Sequence, residues 1–303
     1  MMRVYYHPMF VAAGHAFDTT RKARWVAESL AVSPIPGIEL HEPAPLTRDQ
    51  VIDAHAPDYV HAIETGSPSE LARSQGFSWD EGLWPMVLAS NGGVVAAATT
   101  ALRRGVAGSL SSGLHHARHA RGAGFCTFNG LVIAAREALA AGARSVLILD
   151  LDAHCGGGTA SMIVDEPRIQ QIDVSVDGFD SYPSSEQARL DIVSDGSEYL
   201  PTVRQRLAEV ERHDFDLCLY NAGMDPCEEC ATGGLPGITR QVLADREGMV
   251  FKWCANRGLP VAFVLAGGYV GPHLDQGGLV ELHRLTLSWA AEVGGGTRIR
   301  TGG

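Results

Sequence analysis

Two aspartates and a histidine alternate at the end of an apolar run, in the segment LDLDAHCGGG at residues 149–158. Side chains two residues apart on an extended strand point the same way, so Asp150, Asp152 and His154 would face one common point. A phosphate-binding loop would need a cation near its glycines, but residues 145–167 contain no Lys or Arg. The carboxylates and the imidazole favour a divalent metal such as zinc.

A second candidate ligand follows another apolar run. The segment LCLYNAG at 217–223 predicts a buried strand, and Asp225 comes shortly after it. In open parallel sheets, functional residues gather outside the carboxyl ends of the strands, which brings separate strand ends together. A catalytic zinc keeps three protein ligands and one open position. Asp225 is therefore the candidate third ligand beside Asp152 and His154.

Two further segments carry groups suited to acid–base chemistry. SSGLHHARHARGAGFCTFNG at 111–130 contains the adjacent histidines His115 and His116. Both are candidates for general base and general acid, because imidazole titrates near neutral pH. The glycines around Phe125 let the backbone come close to a ligand. Tyr269, after two glycines in LAGGYV, is a candidate hydrogen-bond donor to an oxyanion.

The elements that would position these residues alternate along the chain. Short apolar runs lie at 3–7, 145–152, 169–176, 217–223 and 261–268, with helical patterns at 92–105, 129–142 and 199–213. Several of the runs are apolar on both faces, as in buried parallel strands. The alternation predicts an α/β fold with helices over both faces of a parallel sheet. We expect a single domain over residues 1–303, with a disordered tail from about 292 to 303.

Composition narrows the choice of partners. The 303 residues include 24 basic and 35 acidic ones, and the net charge of −11 argues against nucleic-acid binding and favours cationic substrates. No apolar stretch reaches membrane-spanning length, and MMRVYYHPMF at the N-terminus lacks the apolar core of a signal peptide. We therefore expect a cytoplasmic protein with no membrane partner, while the oligomeric state stays open.

The six cysteines are scattered, which is not the pattern of a disulfide framework. Cys218 and Cys254 lie in apolar runs and are expected to be buried. Cys227 and Cys230, in PCEEC, have the spacing of half a zinc site or of a redox pair, but no second such pair accompanies them. Their role stays open between redox chemistry and packing.

Taken in order, four motifs resemble those of the histone deacetylase superfamily, which includes acetylpolyamine amidohydrolases and acetoin-utilisation proteins. The motifs are HHARHARGAGFCTFN, LDLDAHCGGG, YNAGMD with GGLPGIT, and LAGGY. DLDAH and YNAG are most similar to the class IV branch. The resemblance extends from about residue 3 to residue 285. It implies a three-layer α/β/α arginase/deacetylase fold with a mostly parallel central sheet.

The same resemblance implies a zinc-dependent amide hydrolase with one zinc ion per chain, acting on acyl-lysine or on a small N-acylated amine or polyamine. By motif, the zinc ligands are Asp152, His154 and Asp225, and the catalytic residues are His115, His116 and Tyr269, with Asp150 as the carboxylate partner of His115. The walls of a tunnel for the acyl-lysine-like chain would be Gly124, Phe125 and Tyr182, and a structural K⁺ or Na⁺ site would include Asp150 and Ser175.

The sequence departs from this family pattern beside the metal motif. Cys155 stands where the family usually has His or Gln, and Gly157 stands where Asp or Asn usually holds the second histidine. We expect His116 to lose its orienting partner unless water or another residue replaces it, which would alter the rate rather than the reaction type. Cys230 stands near a position that is usually Asp, so the rim of the site is also altered.

Two alternatives remain. An arginase-like dinuclear manganese hydrolase also carries a DAH motif, but it needs bridging carboxylates, and no acid follows His154 before Asp165. A catalytically weakened family member that binds an acylated ligand is the second alternative, motivated by Cys155 and Gly157.

Overall fold

The computed structural model describes residues 1–13 and 18–296, and within them eight strands form one sheet in which every pairing is parallel. The strands are β1 (Met2–Tyr5), β2 (Ile38–His41), β3 (Val106–Ser109), β4 (Val146–Asp150), β5 (Ile169–Ser175), β6 (Ala188–Ile192), β7 (Leu217–Ala222) and β8 (Val261–Leu265). Their order is β2-β1-β3-β8-β7-β4-β5-β6. The predicted α/β class is confirmed.

Helices connect the strands and cover both faces of the sheet. They are α1 (Asp18–Val32), α2 (Arg48–Ile52), α3 (Pro57–Thr65), α4 (Ser69–Ala72), α5 (Leu83–Arg104), α6 (Gly130–Ala140), α7 (Gly157–Ile163), α8 (Gly196–Glu209), α9 (Arg240–Arg257) and α10 (Gln276–Gly296), with a 3₁₀ turn at Pro8–Val11. Side-chain caps define some of the helix starts: Asn129 accepts from the Val132 N–H at α6, and Thr239 accepts from the Val242 N–H at α9.

The alternation of side chains along β4 produces the three layers. Leu147 and Leu149 pack in a core with α1, α8, α9 and α10, whereas Val146 and Ile148 pack in a second core with α2, α3, α5, α6 and α7. Each strand residue of β4 is buried, as expected for a strand covered on both faces. Helices therefore cover both faces of the central sheet. Functional side chains can reach a ligand only where the strands end.

All five apolar runs in the sequence contain strands, but β2, β3 and β6 were not predicted. These three strands have four or five residues and lack a long apolar run, and β2 and β6 are the outer strands. The predicted tail is wrong in part, because α10 continues to Gly296 and so includes residues 292–296. Residues 297–303 lie outside the described residues.

Helix α5 is long and apolar enough to cross a membrane by length and composition alone, contrary to the expectation that no stretch would be. However, 67% of its most apolar window is buried inside the protein. A core helix packed against the sheet meets the same length and hydropathy criteria, so α5 is only weak support for a membrane span.

A buried ion pair lies beneath the strand ends. Arg246 and Glu247 on α9 are fully buried, with Nη2 of the arginine 2.7 Å from Oε1 of the glutamate. The Arg246 guanidinium also donates to the Leu151 carbonyl at 3.1 Å and to the Tyr199 hydroxyl at 3.1 Å. Because Leu151 lies between Asp150 and Asp152, this arginine fixes the backbone that carries the metal motif.

Arg246→Met should destabilise the protein by about 3–5 kcal/mol, because it leaves the Glu247 carboxylate buried without its cation. Arg240→Met is the matched control on the same helix: its ion pair with Glu229 is partly exposed, and a loss of about 1 kcal/mol or less is expected. Urea unfolding of both variants measures the difference. Equal losses would contradict a special role for the buried pair.

Candidate active site

Three of the predicted residues converge at the carboxyl edge of the sheet. Asp152 and His154 follow β4, Asp225 follows β7, and one ligand atom of each lies within 4.8 Å of the others. The His154 Nδ1 atom is 3.2 Å from Asp152 Oδ1 and 3.2 Å from Asp225 Oδ2. All three side chains are buried. The parallel register that pairs Asp150 with Asn221 aligns the ends of β4 and β7 and brings these residues together.

The cluster suits a divalent cation on its own physical grounds. Asp225 Oδ2 is buried and has no partner in hydrogen-bond geometry among the described residues. Burial alone would lower the pKa of His154, but hydrogen bonding and attraction to Asp152 and Asp225 outweigh burial and raise the pKa to about 11. Burial and the Asp152 charge raise the pKa of Asp225 to about 6. The cluster thus strongly favours positive charge, and two carboxylates with an imidazole are a common zinc donor set.

Glycine at position 267 permits this close approach. The Gly267 N–H donates to Asp152 Oδ2 at 2.6 Å. A Cβ at this position would lie 2.0 Å from Asp225 Oδ2 and 2.6 Å from Asp152 Oδ2, so any side chain would displace the carboxylates. On the other side, the Ala153 N–H donates to Asp225 Oδ1 at 3.0 Å. Backbone donors therefore orient the oxygens that are left to face the common centre.

The two histidines lie beside the cluster as a contacting pair. His115 Nδ1 is 2.7 Å from Asp150 Oδ2, and the Nε2 atoms of His115 and His116 are 3.1 Å apart. Burial opposes protonation of His115, but the charges of Asp150 and Asp152 outweigh it and raise the pKa to about 10. Burial and the neighbouring His115 charge lower the pKa of His116 to about 4. At neutral pH, one imidazole is charged and the other is a neutral base.

His116 has a carboxylate partner, although not from the expected position. Its Nδ1 atom lies 3.0 Å from Asp180 Oδ2, and Asp180 belongs to the loop after β5. Gly157 supplies no orienting partner for His116, as expected. Asp180, from another loop, takes the place of that partner. No sequence motif pointed to Asp180.

Tyr269 lies next to the imidazole of His154. Their ring centroids are 6.3 Å apart and the rings meet edge to face. Burial, with the nearby Asp225 and Asp152 charges, raises the Tyr269 pKa far above its ordinary value, so the hydroxyl stays protonated. The Tyr269 backbone is held by Cys230, whose Sγ accepts from the Tyr269 N–H at 3.2 Å. Cys230 therefore packs against the rim of the candidate site, which agrees with the packing role predicted as one of two alternatives.

One cavity brings these groups together. Its lining includes the predicted residues His115, His116, Gly124, Phe125, Asp152 and Tyr269. Phe125 is 39% exposed, so this part of the lining reaches the surface. The cavity thus runs from the surface to the candidate metal cluster.

The structure does not place Tyr182 in the tunnel wall as predicted. Its hydroxyl donates to Asp173 Oδ2 at 3.2 Å, and the ring packs against the core beneath the sheet edge. Phe179, from the same loop, is 51% exposed and meets the His116 ring edge to face, with centroids 5.0 Å apart. The loop after β5 takes a path that turns Phe179 toward the site and Tyr182 away from it.

The predicted cation residues Asp150 and Ser175 lie at neighbouring strand ends, with Asp173 between them. Ser175 Oγ donates to Asp173 Oδ1 at 2.5 Å. Asn221 donates to Asp150 Oδ1 at 2.8 Å. Burial and the Asp150 charge raise the pKa of Asp173 to about 8, so this second acid is mostly protonated and neutral at neutral pH. A K⁺ or Na⁺ ion here stays a prediction.

Lys22 on α1 is a buried cation near the site that sequence reasoning missed. Its ammonium donates to the Ala266 carbonyl, next to Gly267. Burial outweighs the attraction of Asp152 and Asp225 and lowers the Lys22 pKa to about 7. The segment around Lys22 is an ordinary amphipathic helix in sequence, so no local pattern distinguished this lysine from a surface residue.

Comparison with known proteins identifies the family. The histone deacetylase domain matches residues 15–283. An uncharacterized protein of Picosynechococcus sp. is 34% identical over 247 residues, covering 79% of this chain and 80% of that protein. Histone deacetylase 2 of Arabidopsis thaliana is 26% identical over 275 residues, covering 84% and 70%. The chain belongs to the histone deacetylase family, which confirms the resemblance seen in its motifs.

The fold agrees with this assignment. The crystal structure of acetylpolyamine aminohydrolase from Burkholderia pseudomallei superimposes with a TM-score of 0.77 at 19% identity, covering 97% of this chain and 99% of that one. The predicted arginase/deacetylase α/β/α fold is confirmed.

Asp225→Ala should weaken zinc binding by about 100-fold or more, because it removes one of three converging donors. Asp216→Ala is the control: Asp216 pairs with Arg144 at the surface, and zinc affinity should be unchanged. Equilibrium dialysis against a zinc buffer, followed by elemental analysis, measures both affinities. Equal affinity of the two variants would show that zinc is bound elsewhere.

Proposed function

We propose that this chain is a zinc-dependent deacylase that hydrolyses the amide of an acyl-lysine or of a small N-acylated amine or polyamine. The observation that carries the proposal is the cavity whose lining includes Asp152 of the Asp152–His154–Asp225 cluster, the contacting histidine pair and the partly buried Tyr269. Family membership supports deacetylase chemistry, and the donor set supports zinc.

Zinc would be held by Asp152, His154 and Asp225. When bound, it lowers the pKa of a water molecule toward neutrality and polarises the amide carbonyl. The proton of the attacking water must then go to a neighbouring base. His116 is suited to this role, because it is neutral at physiological pH and Asp180 contacts its other ring nitrogen.

His115 and Tyr269 stabilise the charges that form during the reaction. The Tyr269 hydroxyl, kept protonated by its buried position, donates a hydrogen bond to the carbonyl oxygen as negative charge develops there. The His115 imidazolium, held by Asp150, adds positive charge on the same side. His116 then returns its proton to the departing amine nitrogen, which completes hydrolysis.

The substrate class follows from the cavity and from the relatives. One relative in structure is an acetylpolyamine aminohydrolase and one in sequence is a histone deacetylase, so acylated amines are the common element. The net charge of −11 favours a cationic amine or lysine-rich substrate.

An arginase-like dinuclear manganese site is the second candidate, since it shares the DAH motif. Among the described residues, one group of three converging ligands is found, at Asp152, His154 and Asp225. A second metal would need further bridging carboxylates at that place, and the residues after His154 are Cys155 and glycines. The observed donor set therefore favours a mononuclear site.

A catalytically weakened binding protein is the third candidate, motivated by Gly157. The carboxylate of Asp180 at 3.0 Å from His116 removes its main support, because the histidine pair retains two carboxylate partners. We therefore propose an active enzyme.

Tyr269→Phe should lower kcat by about 10²- to 10³-fold with little change in KM, because the lost hydroxyl acts on charge present only in the transition state. A panel of N-acyl lysines and N-acyl polyamines of varied acyl length first identifies the best substrate, and amine release then measures the kinetics. Tyr6→Phe, outside the cavity lining, serves as the control. Wild-type kinetics in Tyr269→Phe would refute this role.

Chelation should abolish turnover, and one equivalent of zinc per chain should restore it. Manganese at two equivalents should not restore more activity than zinc, because the site has three converging ligands. Elemental analysis of the reconstituted protein counts the bound ions. Two manganese ions per active chain would favour the arginase-like alternative.

A further inference from the structure

His116 obtains its carboxylate from a loop that is distant in sequence. Its own motif ends in glycines, and Asp180 Oδ2 lies 3.0 Å from the His116 Nδ1 atom. We propose that Asp180 is the positioning residue that orients His116 for proton transfer, a role that rests on the proposed deacylase function. The carboxylate that the motif lacks at position 157 is thus supplied from the loop after β5.

Steric fit links the glycine to this aspartate. A Cβ at Gly157 would lie 2.2 Å from the Asp180 carbonyl oxygen and 2.8 Å from Asp180 Oδ1. No side chain can occupy position 157 while Asp180 holds its present place. Gly157, which lacks the expected carboxylate, therefore also leaves the space that Asp180 occupies.

Both oxygens of the Asp180 carboxylate are anchored. Oδ2 accepts from the Gly158 N–H at 3.0 Å in addition to facing His116. Oδ1 is paired with the Arg118 guanidinium, which also donates to the Gly157 carbonyl at 3.1 Å. The Asp180 side chain is only 8% exposed. An anchored, buried carboxylate of this kind fixes the ring it contacts, whereas a mobile surface acid would not.

Cys155, the other departure from the family pattern, holds the same loop. Its N–H donates to the Phe179 carbonyl at 3.0 Å, and its thiol donates to the Asp177 carbonyl at 3.3 Å. Within the loop, Asp177 Oδ1 accepts from the Phe179 N–H at 2.7 Å. Asp180 itself adopts a left-handed φ of 60°, which Asp tolerates better than most residues. Cys155 and Gly157, the two departures from the family pattern, therefore both help to position Asp180 beside His116.

The chemical consequence is the choice of tautomer. A carboxylate accepts hydrogen bonds, so the His116 proton is held on Nδ1 and the lone pair is left on Nε2. Nε2 is the nitrogen that faces His115 and the cavity, at 3.1 Å from the His115 Nε2. A carboxylate behind an imidazole also raises its basicity. Asp180 thus keeps the accepting nitrogen directed at the reaction centre.

The test combines a tautomer measurement with kinetics on the full-length, zinc-loaded protein. Asp180→Gly removes the carboxylate and tolerates the positive φ. In ¹⁵N-histidine NMR, with His116 assigned from its absence in His116→Gln, the wild type should show the Nδ1–H tautomer. Asp180→Gly should shift His116 toward Nε2–H and lower kcat by about 10- to 100-fold with little change in KM. Glu186→Ala removes an exposed carboxylate from the same loop and should leave both readouts unchanged.

An unchanged His116 tautomer and a wild-type kcat in Asp180→Gly would overturn the inference. If Asp180→Gly does not fold, Asp180→Ala also removes the acceptor oxygen, and a kcat equal to that of the wild type would overturn the inference likewise. The proposed function fails separately, since the wild type would then hydrolyse none of the acylated amines. In that case the NMR comparison alone decides whether Asp180 positions His116.

Discussion

The carboxyl edge of the sheet depends on keeping four acids out of water in one small region. Asp150, Asp152, Asp173 and Asp225 are each at most 3% exposed. Burial of one ion costs on the order of several kcal/mol unless opposite charge or hydrogen bonds offset that cost. Backbone N–H groups, Asn221 and the imidazoles offset part of it, and a bound cation would offset more. The proposed metal affinity would in this sense be a consequence of how the acids are buried.

Backbone N–H groups must come close to these carboxylates to offset the free-energy cost of burying them. Gly267 reaches Asp152 because it has no Cβ, and the Gly156 N–H reaches Asp173 at 2.7 Å for the same reason. Arg246 then fixes the strand end from below through the Leu151 carbonyl. The fold therefore positions backbone donors as well as side chains. These positions depend on the parallel register of β4, β7 and β8.

Sequence reasoning predicted the candidate metal cluster and the histidine pair, which the structure brings together, because each lies in a short motif whose spacing is local. It missed β2, β3 and β6, which lack a long apolar run. It also predicted Tyr182 as a wall of the tunnel, whereas Phe179 is the residue of that loop that contacts the His116 ring, and it did not find Asp180. Those three residues lie on one loop whose path depends on a left-handed backbone and on contacts with Cys155, a residue distant in sequence. Motif matching does not capture a contact between two loops.

The exchange at position 157 shows why a missing motif residue is weak ground for inferring a lost activity. What the reaction needs is a carboxylate at hydrogen-bond distance from His116, whichever segment supplies it. Asp180 meets that requirement only because Gly157 leaves room and Arg118 holds the second oxygen. Gly157 and Asp180 therefore act together: the glycine leaves the space and the aspartate supplies the carboxylate. A chain with the glycine but without this aspartate would lack the orienting carboxylate, and that chain is the one expected to be catalytically weak.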